Sequence, residues 1–144
     1  MSYVRIWVHL VYSTKNRRPY LIKNIRYKPQ NHIIENDKQK SIFIQAVNGY
    51  TDHLHCLISL GGEQSLAEIA RLIEGESAFW INGNHLIDKT FRWQNEYYAV
   101  SVSESNVEIV KNYIKNQEKH HSRKSFAEEA KEFADKFKFD LEND

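Results

Sequence analysis

The sequence predicts an α+β domain in which helices pack on an antiparallel four-stranded sheet. Segments typical of strands and helices alternate in the order β-α-β-β-α-β, and two further helices follow. A length of 144 residues suits one hydrophobic core and leaves no room for a second of full size. The hydrophobic fraction of 41% and the charged fraction of 27% are ordinary for folded proteins and exclude a mostly disordered chain.

Four segments have the alternation of period two that is typical of strands. The first covers about residues 3–13. The second and third, residues 41–50 and 53–60, are separated by turn-forming residues in the sequence NGYTD and therefore predict a hairpin. The fourth covers residues 97–103.

The predicted helices are marked by proline and by capping boxes. A first helix over about residues 28–38 should start near Pro29, because proline suits the first turn, and it should turn Ile33 and Ile34 inward. Three later helices each open on a Ser-x-x-Glu capping box. These boxes begin at Ser65, Ser105 and Ser125 and open helices to about Ile81, to about His121 and through the C-terminal segment.

This order of elements predicts a ferredoxin-like or RRM-like sheet with helices on one face, the other face free, and extra C-terminal helices. We divide the chain into a domain of residues 1–124 and an acidic helical extension of residues 125–144. The extension has 3 Lys against 7 acidic residues, whereas the domain has 17 Lys and Arg against 12 acidic residues. Many functions occur on this fold, so it does not decide this one.

A cytoplasmic location without a membrane contact is expected. The single cysteine, Cys56, excludes an internal disulfide and a cysteine-rich zinc site, and its strand position places it in the core. No window approaches the roughly 18 apolar residues of a spanning helix. The N-terminal stretch alternates as a strand does and has no cleavage site of a signal peptide.

Two histidines in the third strand are candidate metal ligands. His53 and His55 are two residues apart, so both imidazoles point to the same face, which should be the free one. The alternate residues point to the core, namely Leu54, Cys56, Ile58 and Leu60. Asp52 could orient one ring through its second nitrogen. Adjacent imidazoles are half of a metal site, although a His-x-His pair alone also occurs on ordinary sheet surfaces.

A helix after the fourth strand carries a second candidate pair. Tyr113 and Gln117 are four residues apart and share one helix face. Two His and one Gln would leave open coordination positions and suit Mg²⁺ or Mn²⁺ with phosphate oxygens. His120 or His121 could supply the third ligand instead or contact phosphate, and Tyr113 could simply lie at the edge of the core.

In combination these motifs resemble the HUH single-tyrosine transposases of small bacterial insertion sequences and the related REP-associated tyrosine transposases. The resemblance extends from about residue 5 to 122, and the acidic segment after residue 124 has no match. The matching stretches are residues 9–15, Arg17-Arg18-Pro19, and residues 52–58, 75–77, 98–103 and 112–121.

The resemblance implies a role for each motif residue. His53 and His55 would be the metal-binding pair, Gln117 the third ligand and Tyr113 the nucleophile. The family cuts single-stranded DNA at hairpin-flanked element ends through a 5′-phosphotyrosine and rejoins it. It acts as a homodimer in which each site takes its histidines from one subunit and its tyrosine from the other. The protein would thus be a bacterial transposase, associated with the nucleoid when bound to DNA.

Basic residues around these motifs are candidate DNA contacts, because cations hold phosphates and aromatic rings stack on unpaired bases. Trp93, Tyr97 or Tyr98 could provide the stacking. The candidate phosphate contacts are Lys15, Arg17, Arg18, Lys111, Lys115, Lys119, His120 and His121.

Two other functions remain open at this stage. One is a non-catalytic, domesticated protein that binds hairpin nucleic acid without forming a covalent adduct. The other is a metal-dependent phosphodiester hydrolase with water as its nucleophile, for which Asp52 or Glu118 would be the base.

Overall fold

The computed structural model describes residues 2–121 together with Glu128 and Lys131. Its four strands form one antiparallel sheet in the order β2-β3-β1-β4, which confirms the predicted ferredoxin-like topology. The strands are β1 (Ile6–Ser13), β2 (Phe43–Gly49), β3 (His53–Leu60) and β4 (Tyr98–Val102). The helices are α1 (Lys23–Gln39), α2 (Leu66–Gly83), α3 (Val107–Lys115) and α4 (Gln117–His121).

The main core lies between one face of the sheet and the first two helices. Ser65 caps α2 as predicted, because its side chain accepts a hydrogen bond from the Glu68 amide at 3.1 Å. Tyr12 crosses this core and donates to the Ala70 carbonyl at 2.8 Å. Cys56 is fully buried in the same cluster, and burial raises the pKa of its thiol, so it is the core residue that the strand pattern predicts.

The opposite face of the sheet is not free, and that prediction was wrong. Helix α3 covers part of this face with an apolar stripe that packs on strand residues. The strongly amphipathic sequence of α3 buries its apolar stripe against this face. The cluster consists of Trp7, Ala46, Leu57, Val102, Val107, Val110 and Ile114.

Helix α1 begins at Lys23, five residues before the predicted start, and Pro29 lies inside it. Proline removes one hydrogen bond from a helix interior, but Pro29 is buried, so tertiary packing overrides this local preference. Ile33 is buried, and Ile34 is partly buried.

The predicted single helix from Ser105 to His121 is divided. A 3₁₀ turn over Glu104–Asn106 precedes α3, and Asn116 separates α3 from α4. The capping box at Ser105 was therefore wrong: its hydroxyl lies 3.2 Å from that of Ser103. The helix predicted from Ser125 lies outside the described residues, as does nearly all of the acidic extension. Among the described residues, no helix is long and apolar enough to cross a membrane.

A buried carboxyl near the end of α1 predicts a pH dependence of stability. Asp37 is 2% exposed, and burial raises its pKa from the usual 3.8 to about 7. The folded state thus binds this proton more tightly than the unfolded state, so the free energy of unfolding falls as pH rises from about 4 to about 7. Asp37→Asn should remove a slope of up to about 1.4 kcal/mol per pH unit and stabilise the protein at pH 7.

Urea denaturation at several pH values between 4.5 and 7.5 measures this effect. Asp88→Asn, at an exposed loop position, is the matched control and should leave the slope unchanged. Parallel pH profiles for the wild type and Asp37→Asn would contradict the assignment.

Candidate active site

The two histidines of β3 lie beneath the C-terminal helices. The ring centroids of His53 and His55 are 5.0 Å apart and the ring planes are nearly perpendicular, at 78°. Both side chains are fully buried, so the prediction of an open face was wrong. Both side chains point away from the main core, as predicted, and lie on the face of the sheet that α3 covers.

Asp52 holds the ring of His53, as the sequence predicted. The Nδ1 atom of His53 lies 2.8 Å from the Asp52 carboxylate and donates to it. In a neutral ring this leaves the lone pair on Nε2, the arrangement that a metal-ligating histidine requires.

Gln117 faces the same nitrogen. Its Nε2 group donates to the Tyr113 carbonyl at 3.3 Å, which turns its Oε1 atom toward His53 Nε2 at 3.1 Å. Two acceptor atoms this close need a proton or a cation between them. Neighbouring ligands of an octahedral ion with bonds of about 2.1 Å are about 3.0 Å apart, so this pair fits a small hard cation such as Mg²⁺ or Mn²⁺.

Tyr113 lies beside the second histidine. Its ring centroid is 5.8 Å from that of His55, with the planes at 81°. Tyr113 is partly exposed, whereas His53, His55 and Gln117 are fully buried. The structure therefore brings together all four residues that the sequence singled out, within one chain, and leaves Tyr113 more exposed than the three candidate ligands.

The donor set consists of two imidazoles and one amide. Among the described residues, no group of three or more His, Cys, Asp or Glu side chains could hold a metal ion. Gln117 would have to be the third protein ligand. His120 and His121, the alternatives, lie in α4, and the structure does not describe their side chains.

Sequence reasoning missed His9, a third buried histidine of the site. Its Nε2 atom lies 2.8 Å from His55 Nδ1. The strand pattern could have indicated His9, because the odd positions of β1 share the face of His53 and His55 in an antiparallel sheet.

Arg26 was also missed. It is 5% exposed, donates to the Leu21 carbonyl at 3.1 Å and to Glu118 at 2.5 Å, and so ties α1 to α4 next to Gln117. Nothing in the spacing of the sequence links positions 26 and 118. Glu118 pairs with Arg26, and Asp52 pairs with His53. Both carboxylates that could serve as the base of a hydrolase therefore have positioning contacts in this structure.

The predicted DNA contacts fall on two exposed segments. Lys15, Arg17 and Arg18 are exposed in the turn after β1, where Ser13 pairs with His53. Lys115 and Lys119 are exposed near the other side of the site, and Lys111 is partly exposed.

Trp93 cannot stack on a base, contrary to the prediction. It is buried in the main core, and its indole donates to the Ser77 hydroxyl at 2.8 Å. Tyr97 and Tyr98 are partly buried.

Comparison with known proteins gives the family of this chain. A family model described as "Transposase IS200 like" matches residues 2–117. The chain belongs to this family of IS200-like transposases. No curated protein matches the sequence.

Two solved structures share the fold. A candidate transposase from Deinococcus radiodurans R1 is 21% identical, with a TM-score of 0.63 over 81% of this chain and 95% of that one. A REP-associated tyrosine transposase bound to a REP hairpin is 18% identical, with a TM-score of 0.56 over 81% of this chain and 69% of that one.

The contact between Arg26 and Glu118 should position Gln117. We expect Arg26→Met to weaken Mn²⁺ binding about 10-fold, the lower end of the effect of residues that orient metal ligands. Lys23→Ala is the matched control, because Lys23 lies 3.6 Å from the other oxygen of Glu118 but its side chain is 79% exposed. Titration calorimetry measures both affinities, and equal affinities for the two variants would contradict this role.

Proposed function

We propose that this transposase cuts and rejoins single-stranded DNA by transesterification, with Tyr113 as the nucleophile. The observation that carries the proposal is the position of the Tyr113 ring next to His55, beside the convergent lone pairs of His53 and Gln117. A transposase breaks and joins DNA strands, and the chain belongs to a transposase family. Tyr113 is the nucleophile that this site offers to an approaching phosphate from the solvent side.

The proposed step balances without an external energy source. The phenol oxygen of Tyr113 forms a bond to phosphorus, the bond from phosphorus to the 3′ oxygen breaks, and the phenol proton is balanced by one taken up at the departing 3′ oxygen. The product is a 5′-phosphotyrosine and a free 3′-OH. The diester is conserved, so attack by a 3′-OH reverses the reaction and reseals the strand.

This step requires a phenolate on Tyr113 and a polarised phosphate. Forming a phenolate near pH 7 costs about 4 kcal/mol for a tyrosine of pKa about 10. Mg²⁺ or Mn²⁺ bound by His53, His55 and Gln117 would supply Lewis acidity that lowers this cost and polarises the phosphate. Asp52 holds His53 in the ligating tautomer, and Arg26 fixes the helix that carries Gln117.

We propose single-stranded DNA with hairpin ends as the substrate. This rests on the resemblance of the motifs and on the REP hairpin bound by one structural neighbour. Lys15, Arg17 and Arg18 on one side of the site, and Lys111, Lys115 and Lys119 on the other, would contact backbone phosphates. Such a substrate implies a cytoplasmic, nucleoid-associated protein.

A homodimer with shared sites is a further part of the proposal. Helix α3 packs on its own sheet through contacts that an identical chain could supply equally well, so an exchange of α3 and α4 between two subunits would cost little free energy. Mixing inactive Tyr113→Phe and His53→Ala proteins should then restore cleavage, because one site of each hybrid is intact. No restoration would mean that each chain uses its own tyrosine.

Tyr113→Phe should abolish covalent capture of DNA. A 5′-labelled and a 3′-labelled hairpin-bearing strand are incubated with Mn²⁺ and resolved on a denaturing gel. The wild type should yield a protein-linked band that carries the downstream strand, and Tyr113→Phe should lose at least about 1,000-fold of this activity, as when a covalent nucleophile is removed.

Tyr27→Phe is the matched control, because it removes an exposed phenol on α1, and it should react as the wild type does. Cleavage by Tyr113→Phe at the wild-type yield would contradict the proposal and favour a hydrolase. Hairpin binding by the wild type with no cleavage or adduct would favour a non-catalytic binding protein.

A further inference from the structure

The third buried histidine has a defined partner. His9 lies in β1, between β3 and β4, and its backbone pairs with Leu57 and Val100. Its side chain is fully buried, and its Nε2 atom is 2.8 Å from His55 Nδ1, with the ring planes 31° apart. At this distance one imidazole donates a proton and the other accepts it.

The direction of this hydrogen bond decides whether His55 can bind a metal ion. If the His55 Nδ1 atom accepted, the neutral ring would carry its proton on Nε2 and would have no lone pair there. If Nδ1 donates, the lone pair lies on Nε2, as it does in the His53 ring that donates to Asp52. The two rings are then oriented by two different acceptors, a carboxylate for His53 and an imidazole for His55.

We propose that His9 is a positioning residue that accepts the Nδ1–H of His55 and so holds the lone pair of His55 Nε2 available for the ion. This inference rests on the proposed function, because the ion is part of that function. In this role His9 acts through His55 and is not itself a ligand, because its Nε2 atom is hydrogen-bonded to His55.

Packing alone does not account for a histidine at position 9. Trp7, on the same strand and face, belongs to an apolar cluster with Leu57, the residue that pairs with His9. An apolar side chain at position 9 would extend this cluster, whereas a buried imidazole must have a hydrogen-bonding partner to offset its desolvation. The bond to His55 supplies that partner and gives the residue its role.

Two substitutions separate acceptance of the hydrogen bond from filling of space. His9→Phe keeps a ring but removes the acceptor, and it should weaken Mn²⁺ binding about 10- to 100-fold. His9→Gln places an amide oxygen close to the position of Nε2. Because this oxygen can still accept the Nδ1–H of His55, the Mn²⁺ affinity should remain within about threefold of the wild type. Trp7→Phe is the matched control, because it removes a partly buried hydrogen bond to Glu104 from the same strand and face.

The tautomer of His55 is a readout that needs neither metal nor activity. Nitrogen-15 NMR of the metal-free protein should show His55 protonated on Nδ1 in the wild type and in His9→Gln, and a shift toward the Nε2-protonated form in His9→Phe. Thermal unfolding checks that each variant is folded, and if His9→Phe is not, the wild-type tautomer and the affinity of His9→Gln still decide.

Four results would overturn the inference. The first is a wild-type His55 protonated on Nε2. The second is wild-type Mn²⁺ affinity in folded His9→Phe, and the third is an equal large loss in both His9 variants, which would make His9 itself a ligand. A wild-type protein that shows the expected tautomer but binds no Mn²⁺ would contradict the proposed ion site. It would contradict the role of His9 as well. Loss of DNA cleavage with Mn²⁺ binding intact would instead overturn only the proposed chemistry.

Discussion

The packing of α3 on the sheet is the constraint on which the rest of the site depends. Val107, Val110 and Ile114 place this helix over the face that carries the histidines. Burying aliphatic side chains of this kind contributes about 1.5 to 3 kcal/mol each, so the position of the helix is set by apolar contacts rather than by the site's polar ones. Tyr113, one residue before Ile114 in the same helix, is thereby carried to the edge of His55.

The break between α3 and α4 at Asn116 also affects the position of Gln117. Since α4 starts anew at Gln117, its direction is set by its own contacts and not by the axis of α3. Arg26 holds Glu118, and the Asn48 side chain donates to the Lys115 carbonyl at 3.0 Å. These two contacts lie on either side of Asn116 and bring the Gln117 amide oxygen to His53.

The site is a buried polar network that an apolar core would not contain. Buried imidazoles and carboxylates cost desolvation energy, and hydrogen bonds offset this only when every group has a partner with good geometry. Asp52 with His53 and His9 with His55 form two such pairs, and the ring centroids of His53 and His55 are 5.0 Å apart. Donation from both Nδ1 atoms would leave both Nε2 lone pairs for an ion, as the proposed function requires.

The sequence predicted the strands well because their signals are local. The alternation in His53–Leu60 fixed both ends of β3, and the order of elements predicted the sheet topology. The spacing of Tyr113 and Gln117 predicted their proximity. The parts that sequence reasoning could not reach depend on contacts between distant positions, such as Arg26 with Glu118 and His9 with His55. The covered sheet face was missed because an amphipathic stripe does not say which surface it will cover.

The proposed chemistry depends on one divalent ion held by His53, His55 and Gln117 beside Tyr113. Electron spin-echo spectroscopy of the Mn²⁺-loaded protein can detect this ion site, because nitrogen couplings count the imidazoles bound to the ion. We expect couplings from two histidines, one of which disappears in His53→Ala and the other in His55→Ala. A spectrum without imidazole nitrogen, or one that neither substitution changes, would contradict it.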